Sequence, residues 1–197
     1  IFADFTPGED HPLVAALRQA GLVAVGKTNT PEFGAGSHTY NPLYGPTRNP
    51  WDPSRSAGGS SGGAAAALAC GTLSVADGSD LGGSLRNPAS FCGVVGFRPT
   101  AGTVPYQVEQ DGRIRMPTSG PMGRTVDDVT LLHSVMAPAI TGAPPVPSTP
   151  RLAVSADLGD LPLDPAVRTV VEQAVLKLEA AGWAVEAGLP DLDHADL

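Results

Sequence analysis

The sequence predicts an α/β fold with substantially parallel strand pairing. Three observations carry that expectation. Strand-like apolar runs alternate with helix-like segments along the chain. One segment, residues 165–181, has its apolar residues on a single stripe and lies between two strand-like runs. Finally, 42% of the 197 residues are hydrophobic, enough to bury one real core, while the length allows one domain or a small pair.

Each element has a local reason. Over residues 10–20, Leu13, Val14 and Leu17 have helical spacing, Pro12 suits a first turn and Gly21 suits a C-terminal cap. Residues 22–25 read as a buried strand. Residues 28–63 are rich in Gly, Pro, Asn and Ser, too long for an ordinary connector, and therefore the expected functional loop. Helices are expected over 64–70 and 85–91, and strands over 73–76 and 94–97. Thr125 and two aspartates open a helix over 126–136. Residues 138–150 form a proline-rich connector, followed by a strand over 151–155, the helix over 165–181 and a strand over 183–187. The helical stripe is Val167, Val170, Val171, Ala174, Val175 and Leu178. The chain shows no internal repeat.

Composition excludes several function classes. With 20 acidic against 12 basic residues the net charge is −8, and no Lys/Arg run occurs, which argues against nucleic acid or an anionic membrane as partner. A small neutral substrate fits better. Cys70 and Cys92 lie among small or apolar residues, so reduced, buried thiols in a cytoplasmic protein are expected. No stretch approaches the roughly 20 apolar residues of a membrane span.

Two glycine-serine runs dominate the chain: Gly58-Gly59-Ser60-Ser61-Gly62-Gly63, and Ser79-Asp80-Leu81-Gly82-Gly83-Ser84-Leu85-Arg86. They read as a serine nucleophile and its relay. Glycines here surround hydroxyls and leave backbone N–H groups able to face a ligand, and each run precedes a helix whose N-terminus favours developing negative charge.

Two short matches are set aside. Gly21 to Thr28 has the spacing of a phosphate loop, but its variable positions are the strand-like Leu-Val-Ala-Val and no helix signal follows. Gly59-Ser60-Ser61-Gly62-Gly63 has the G-x-S-x-G pattern of a nucleophile elbow at Ser61, but the prolines before it preclude the preceding central strand. His11, His38, His133 and His194 are scattered, and only His38 lies in the long loop, so no histidine base or metal spacing stands out. A lysine base needs a lowered pKa. Lys177 falls on the exposed side of its helix, which leaves Lys27, read first as a structural residue at a strand end.

The run Gly26-Lys27-Thr28-Asn29-Thr30-Pro31-Glu32-Phe33, the run Gly45-Pro46-Thr47-Arg48-Asn49-Pro50-Trp51, both glycine-serine runs, and Phe91-Cys92-Gly93-Val94-Val95-Gly96 occur in the order of the amidase signature family. Residues 10–136 closely resemble that family. The resemblance implies a mixed, largely parallel β-sheet flanked by helices, incomplete in this chain: an amidase signature core over 1–137, a connector over 138–150, and the start of a variable portion over 151–197. It implies amide hydrolysis through an acyl-enzyme, with Ser84 as nucleophile, Ser60 as the cis serine of a Ser-cisSer-Lys triad, and backbone N–H groups of Leu81, Gly82 and Gly83 as oxyanion hole. Ser79, Asp80, Arg86 and Ser61 are supporting residues, and Gly36 and Ser37 line the acyl pocket. The segment bearing the family's lysine has no counterpart here, so the chain reads as the middle of a longer enzyme.

The expectation is thus an amidohydrolase acting on a small-molecule amide, with no metal and no cofactor, no nucleic acid or membrane partner, and a homodimer as an allowed assembly. Three alternatives remain: the glutamine-hydrolysing subunit of a tRNA-dependent amidotransferase, which the dissimilar residues 105–120 disfavour; a nucleotide-binding module built on Gly21 to Thr28; and a catalytically inactive fragment.

Overall fold

Helix α1, Pro12–Gln19, forms where the sequence supplies its ends. Pro12 occupies the first turn, His11 Nδ1 accepts the N–H of Leu13 at 3.2 Å, and Gly21 follows with φ of 90°. These positions come from a computed structural model that describes residues 4–104, 116–138, 147–159 and 161–189. Two units, Ile1–Thr141 and Gly142–Leu197, divide the chain.

After α1 the expected strand over 22–25 does not form. Those residues join no sheet among the described residues, and Val23 and Val25 are 83% and 76% exposed. An apolar run becomes a buried strand only when a neighbouring strand takes its backbone hydrogen bonds, and none does so here. The long loop then carries a 3₁₀ turn at Glu32–Gly34 and a tight hairpin of β1 (Tyr40–Asn41) and β2 (Gly45–Pro46). Asn41 Oδ1 closes that hairpin by accepting the N–H groups of Leu43 and Tyr44 at 3.0 and 2.9 Å.

The rest of the first unit follows as α2 (Gly62–Ala69), β3 (Val75–Asp80), α3 (Arg86–Cys92), β4 (Val95–Gly96), β5 (Thr118–Gly123) and α4 (Val126–Met136). The two helices after the glycine-serine runs and the helix opened by Thr125 stand where the sequence places them. Thr125 Oγ1 accepts the N–H of Asp128 while the Asp128 carboxylate accepts that of Thr125, a reciprocal capping box. Strand β3 begins later than expected and runs into the second glycine-serine run.

The α/β class holds, but the pairing in this sheet is antiparallel. Its order is β3-β5-β4, with Asp80 opposite Thr118 and Gly96 opposite Met122. Sequence reading missed the central strand β5 because Thr-Ser-Gly-Pro-Met-Gly reads as loop. Pro121 is tolerated at the end of the β4 ladder, where its carbonyl accepts the Phe97 N–H at 3.1 Å and the short strand β4 requires no further donor from it.

Helices α2 and α3 close on a core of small side chains, with Ala57, Ala64, Ala65 and Ala89 packing beside Leu68, Leu85, Cys92 and Met122. Cys92 is buried, its Sγ–H donating to the Ala57 carbonyl at 3.6 Å, and burial pushes its thiol pKa up. Cys70, expected buried, is exposed at the end of α2. A second cluster joins Leu13 of α1, Val104, and Leu132 and Met136 of α4.

The second unit holds β6 (Arg151–Val154), α5 (Pro165–Ala180) and β7 (Ala184–Ala187). Here pairing is parallel, from Arg151 opposite Ala184 to Val154 opposite Ala187. Asp164 caps α5 by accepting the Ala166 N–H at 2.8 Å. Of the apolar stripe, Val171, Val175 and Leu178 are half-buried, whereas Val167 and Val170 are exposed. Most of the connector at 138–150, most of 105–120, and His194 lie outside the described residues.

Candidate active site

The two glycine-serine runs meet through one main-chain contact, in which the N–H of Ser61 donates to the carbonyl of Ser84 at 3.2 Å. Ser60 immediately precedes that N–H, and the peptide bond between Gly59 and Ser60 is cis. Ser60 and Ser61 are buried, at 5% and 6% exposure, and Ser84 is half-buried. Among the described residues no hydrogen bond joins the Ser60 and Ser84 hydroxyls to each other, and neither is held by another side chain.

Ser61 has a different task. It stands at the N-cap of α2, but its hydroxyl does not cap the helix. Instead Ser61 Oγ accepts the Ser79 N–H at 3.3 Å and donates to the Ser79 carbonyl at 3.4 Å, tying the first run to β3. A side chain at Gly78 has no room beside this bridge, because its Cβ would lie 2.6 Å from Ser61 Oγ and 2.7 Å from Leu85 Cδ2. Ser79 itself is exposed and contributes through its main chain.

Asp80 organises the second run. Its side chain is fully buried. Oδ1 accepts the Gly83 N–H at 2.8 Å, Oδ2 accepts the Leu85 N–H at 3.1 Å, and Arg86 Nε and Nη2 grip both oxygens at 3.0 Å. Burial pushes the carboxyl pKa up, but the Arg86 hydrogen bonds and the Gly83 and Leu85 amides outweigh it and hold the group well below the ordinary carboxylate range. The same contact raises the Arg86 pKa, with burial opposing it.

The Gly83 N–H is therefore committed to Asp80. Among the described residues the N–H groups of Leu81 and Gly82 have no partner, and both residues are exposed. They can face a developing oxyanion; Gly83, with φ of 118°, shapes the turn that presents them.

Sequence reasoning missed Arg98 and Thr39. The Arg98 guanidinium donates to the Asp80 carbonyl, to Asp80 Oδ1 at 3.2 Å and to the Met116 carbonyl at 2.7 Å, so a second arginine anchors the same aspartate. Thr39, 2% exposed, reaches the Ser60 turn from the edge of β1. Neither lies in a glycine-serine run, and no local pattern marks either.

Other candidates stay apart. Gly36 and Ser37 are exposed in the loop before Thr39, and among the described residues no hydrogen bond links them to Ser60 or Ser84. His38 Nδ1 pairs with Ser56 Oγ at 2.9 Å, and a Cβ at Gly59 would fall 2.7 Å from the His38 carbonyl carbon. His11 is a cap, and the His133 ring packs edge-on to Phe97. Lys27 is exposed, and the chain from it to Pro31 is not helical, so Gly21 to Thr28 lacks the helix a phosphate loop requires. Among the described residues no cluster of three or more His, Cys, Asp or Glu is placed to hold a metal ion.

Known proteins carry the same arrangement of segments. A family model described as Amidase matches residues 1–196. An indoleacetamide hydrolase of Bradyrhizobium japonicum is 41% identical over 96% of this chain and 44% of its own length. A glutamyl-tRNA(Gln) amidotransferase subunit of Moorella thermoacetica is 39% identical over 99% of this chain and 43% of its own. The crystal structure of a bacterial aryl acylamidase of the amidase signature family superposes with a TM-score of 0.83 at 28% identity, covering 95% of this chain and 41% of that one. The chain thus spans less than half the length of these relatives. A match to the family model over nearly every residue, together with serine turns joined at Ser61 and Ser84, assigns this chain to the amidase signature family.

Proposed function

We propose that these residues form part of an amidase that cleaves a carboxylic amide C–N bond through a serine acyl-enzyme. Ser84 Oγ attacks the carbonyl carbon, forming the C–O bond, while its proton passes to Ser60 and on to the lysine that the family resemblance implies for the triad. The C–N bond then breaks, the nitrogen leaves with a proton, and water attacks the ester to release the carboxylic acid and restore the Ser84 hydroxyl. Leu81 and Gly82 N–H groups stabilise the tetrahedral oxyanion; one such donor contributes about 2.7–4 kcal/mol. Asp80, with Arg86 and Arg98, holds the turn that aims them.

The observation that carries this reading is the 3.2 Å bond from the Ser61 N–H to the Ser84 carbonyl, which brings two sequence-distant serine turns into one site. The deciding experiment is labelling of the intact protein with a fluorophosphonate. Labelling that is lost in Ser84→Ala supports the reading; labelling that persists there, or hydrolysis unaffected by the substitution, overturns it.

A second reading, glutamine hydrolysis within an amidotransferase complex, is supported by the 39% identity to the Moorella protein. Glutaminase activity that rises on adding the other components of such a complex favours it, and hydrolysis of simple amides by the isolated protein favours the stand-alone amidase. A small neutral amide suits the net charge of −8. The unpaired thiols of Cys70 and Cys92 suit a reducing, cytoplasmic setting; no described helix is long and apolar enough to cross a membrane.

A further inference from the structure

We infer that Thr39 is a positioning residue for the Ser60–Ser84 pair, acting through the peptide plane between Ser60 and Ser61; the inference rests on the roles proposed for those two serines. Thr39 Oγ1 donates to the Ser60 carbonyl at 3.1 Å and accepts the Gly62 N–H at 3.0 Å. The Thr39 main-chain N–H donates to the Gly58 carbonyl at 3.1 Å. One buried residue thus fastens the serine turn at Gly58, Ser60 and Gly62.

The geometry makes this fastening specific to the reacting pair. A peptide unit is planar, so the Ser60 carbonyl and the Ser61 N–H turn together. Thr39 holds the carbonyl side of that plane, and the Ser84 carbonyl accepts from its N–H side. Rotation of the plane that frees one contact breaks the other. A hydroxyl has a single proton, and here it is used on Ser60, which leaves a lone pair for Gly62; both bonds therefore depend on one side-chain rotamer. Thr39 also does for α2 what its own N-cap does not, since the Ser61 hydroxyl is diverted to Ser79. Gly62 has no alternative, because a Cβ there would overlap the Thr39 hydroxyl.

The test compares Thr39→Val, which keeps the shape and removes the hydroxyl, with Thr39→Ser, which keeps the hydroxyl, in the intact protein. The readout is both the second-order rate and the final stoichiometry of fluorophosphonate labelling. A small displacement of reacting groups can cost up to about 100-fold, so Thr39→Val should label about 10- to 100-fold more slowly while every molecule is still labelled in the end. Thr39→Ser should recover most of the rate. Thr39→Ala supplies a second hydroxyl-free variant should Thr39→Val not accumulate folded.

A hydroxyl-free variant that labels at the parental rate overturns the inference. So does a loss that appears only as reduced stoichiometry, the mark of a folding role, or one that Thr39→Ser does not restore. Failure of the underlying reading looks different: the parent itself then shows no labelling that depends on Ser84, and the role of Thr39 falls with it.

Discussion

Ser61 and Ser84 are bound main chain to main chain, the N–H of one on the carbonyl of the other at 3.2 Å. That bond, with the Ser61 Oγ bridge to Ser79, registers two turns that arrive from different elements, one entering α2 and the other leaving β3. Among the described residues, neither serine proposed for the chemistry has its hydroxyl bound to a structural partner. Neighbouring groups do the structural work instead: Ser61 binds Ser79, Asp80 binds the second turn, and Thr39 binds the first.

Removing the proposed nucleophile should leave a folded, inert protein. Ser84→Ala is expected to lower amide turnover by roughly 10⁴- to 10⁶-fold, as loss of a nucleophile does in other serine hydrolases, with an unchanged circular dichroism spectrum. Steady-state hydrolysis of a chromogenic anilide checks it.

Asp80 gives a pH signature. Its folded-state pKa lies below the ordinary value of 3.8, so the carboxylate contributes stability that is fully present above that value. That contribution begins to fall as pH drops below about 3.8 and is gone once the folded carboxyl itself protonates, still lower. Asp80→Ala should cost about 3 kcal/mol at neutral pH, since it strands Arg98 and the Gly83 and Leu85 amides. It should also flatten the acid limb of stability against pH, measured by denaturant unfolding.

Gly78→Ala tests the Ser61 bridge. The added methyl meets Ser61 Oγ at 2.6 Å and Leu85 Cδ2 at 2.7 Å, so overpacking of about 1–3 kcal/mol is expected. Thermal unfolding should shift down, and labelling at Ser84 should slow as β3 separates from the first turn.

Lys27→Ala separates the hydrolase from the nucleotide reading. The side chain is exposed and the segment lacks a phosphate loop's helix, so the variant should label at Ser84 within about twofold of the parent. Calorimetric titration with ATP should register no binding to either protein.

Thr125→Ala probes α4 alone. Losing the capping box should cost about 1 kcal/mol, read by urea unfolding, with amide turnover unaltered because α4 contributes none of the proposed reacting groups.

Helix positions are legible in the sequence because their signals are local. Pro12, Thr125 and Pro165 each mark an end that the structure places within a residue or so. Strands are less legible, because a strand depends on what lies beside it. Residues 22–25 look like a strand and find no partner strand among the described residues, whereas 118–123 look like a loop and become the middle of the sheet. The serine runs stand out by composition, and the motif order points to the roles of Ser60 and Ser84. Arg98 and Thr39 do not stand out, since an arginine or threonine gains meaning only from the carboxylate or carbonyl that folding delivers to it.

Holding the serine turn from a distant stretch of chain affects how such a site can be moved or redesigned. A graft of both glycine-serine runs onto another scaffold would transplant the proposed reacting groups without the Thr39 hydrogen bonds to Ser60 and Gly62. The donor fragment must reach back to Thr39, just before the β1–β2 hairpin, or the host must provide a hydroxyl at the same spot.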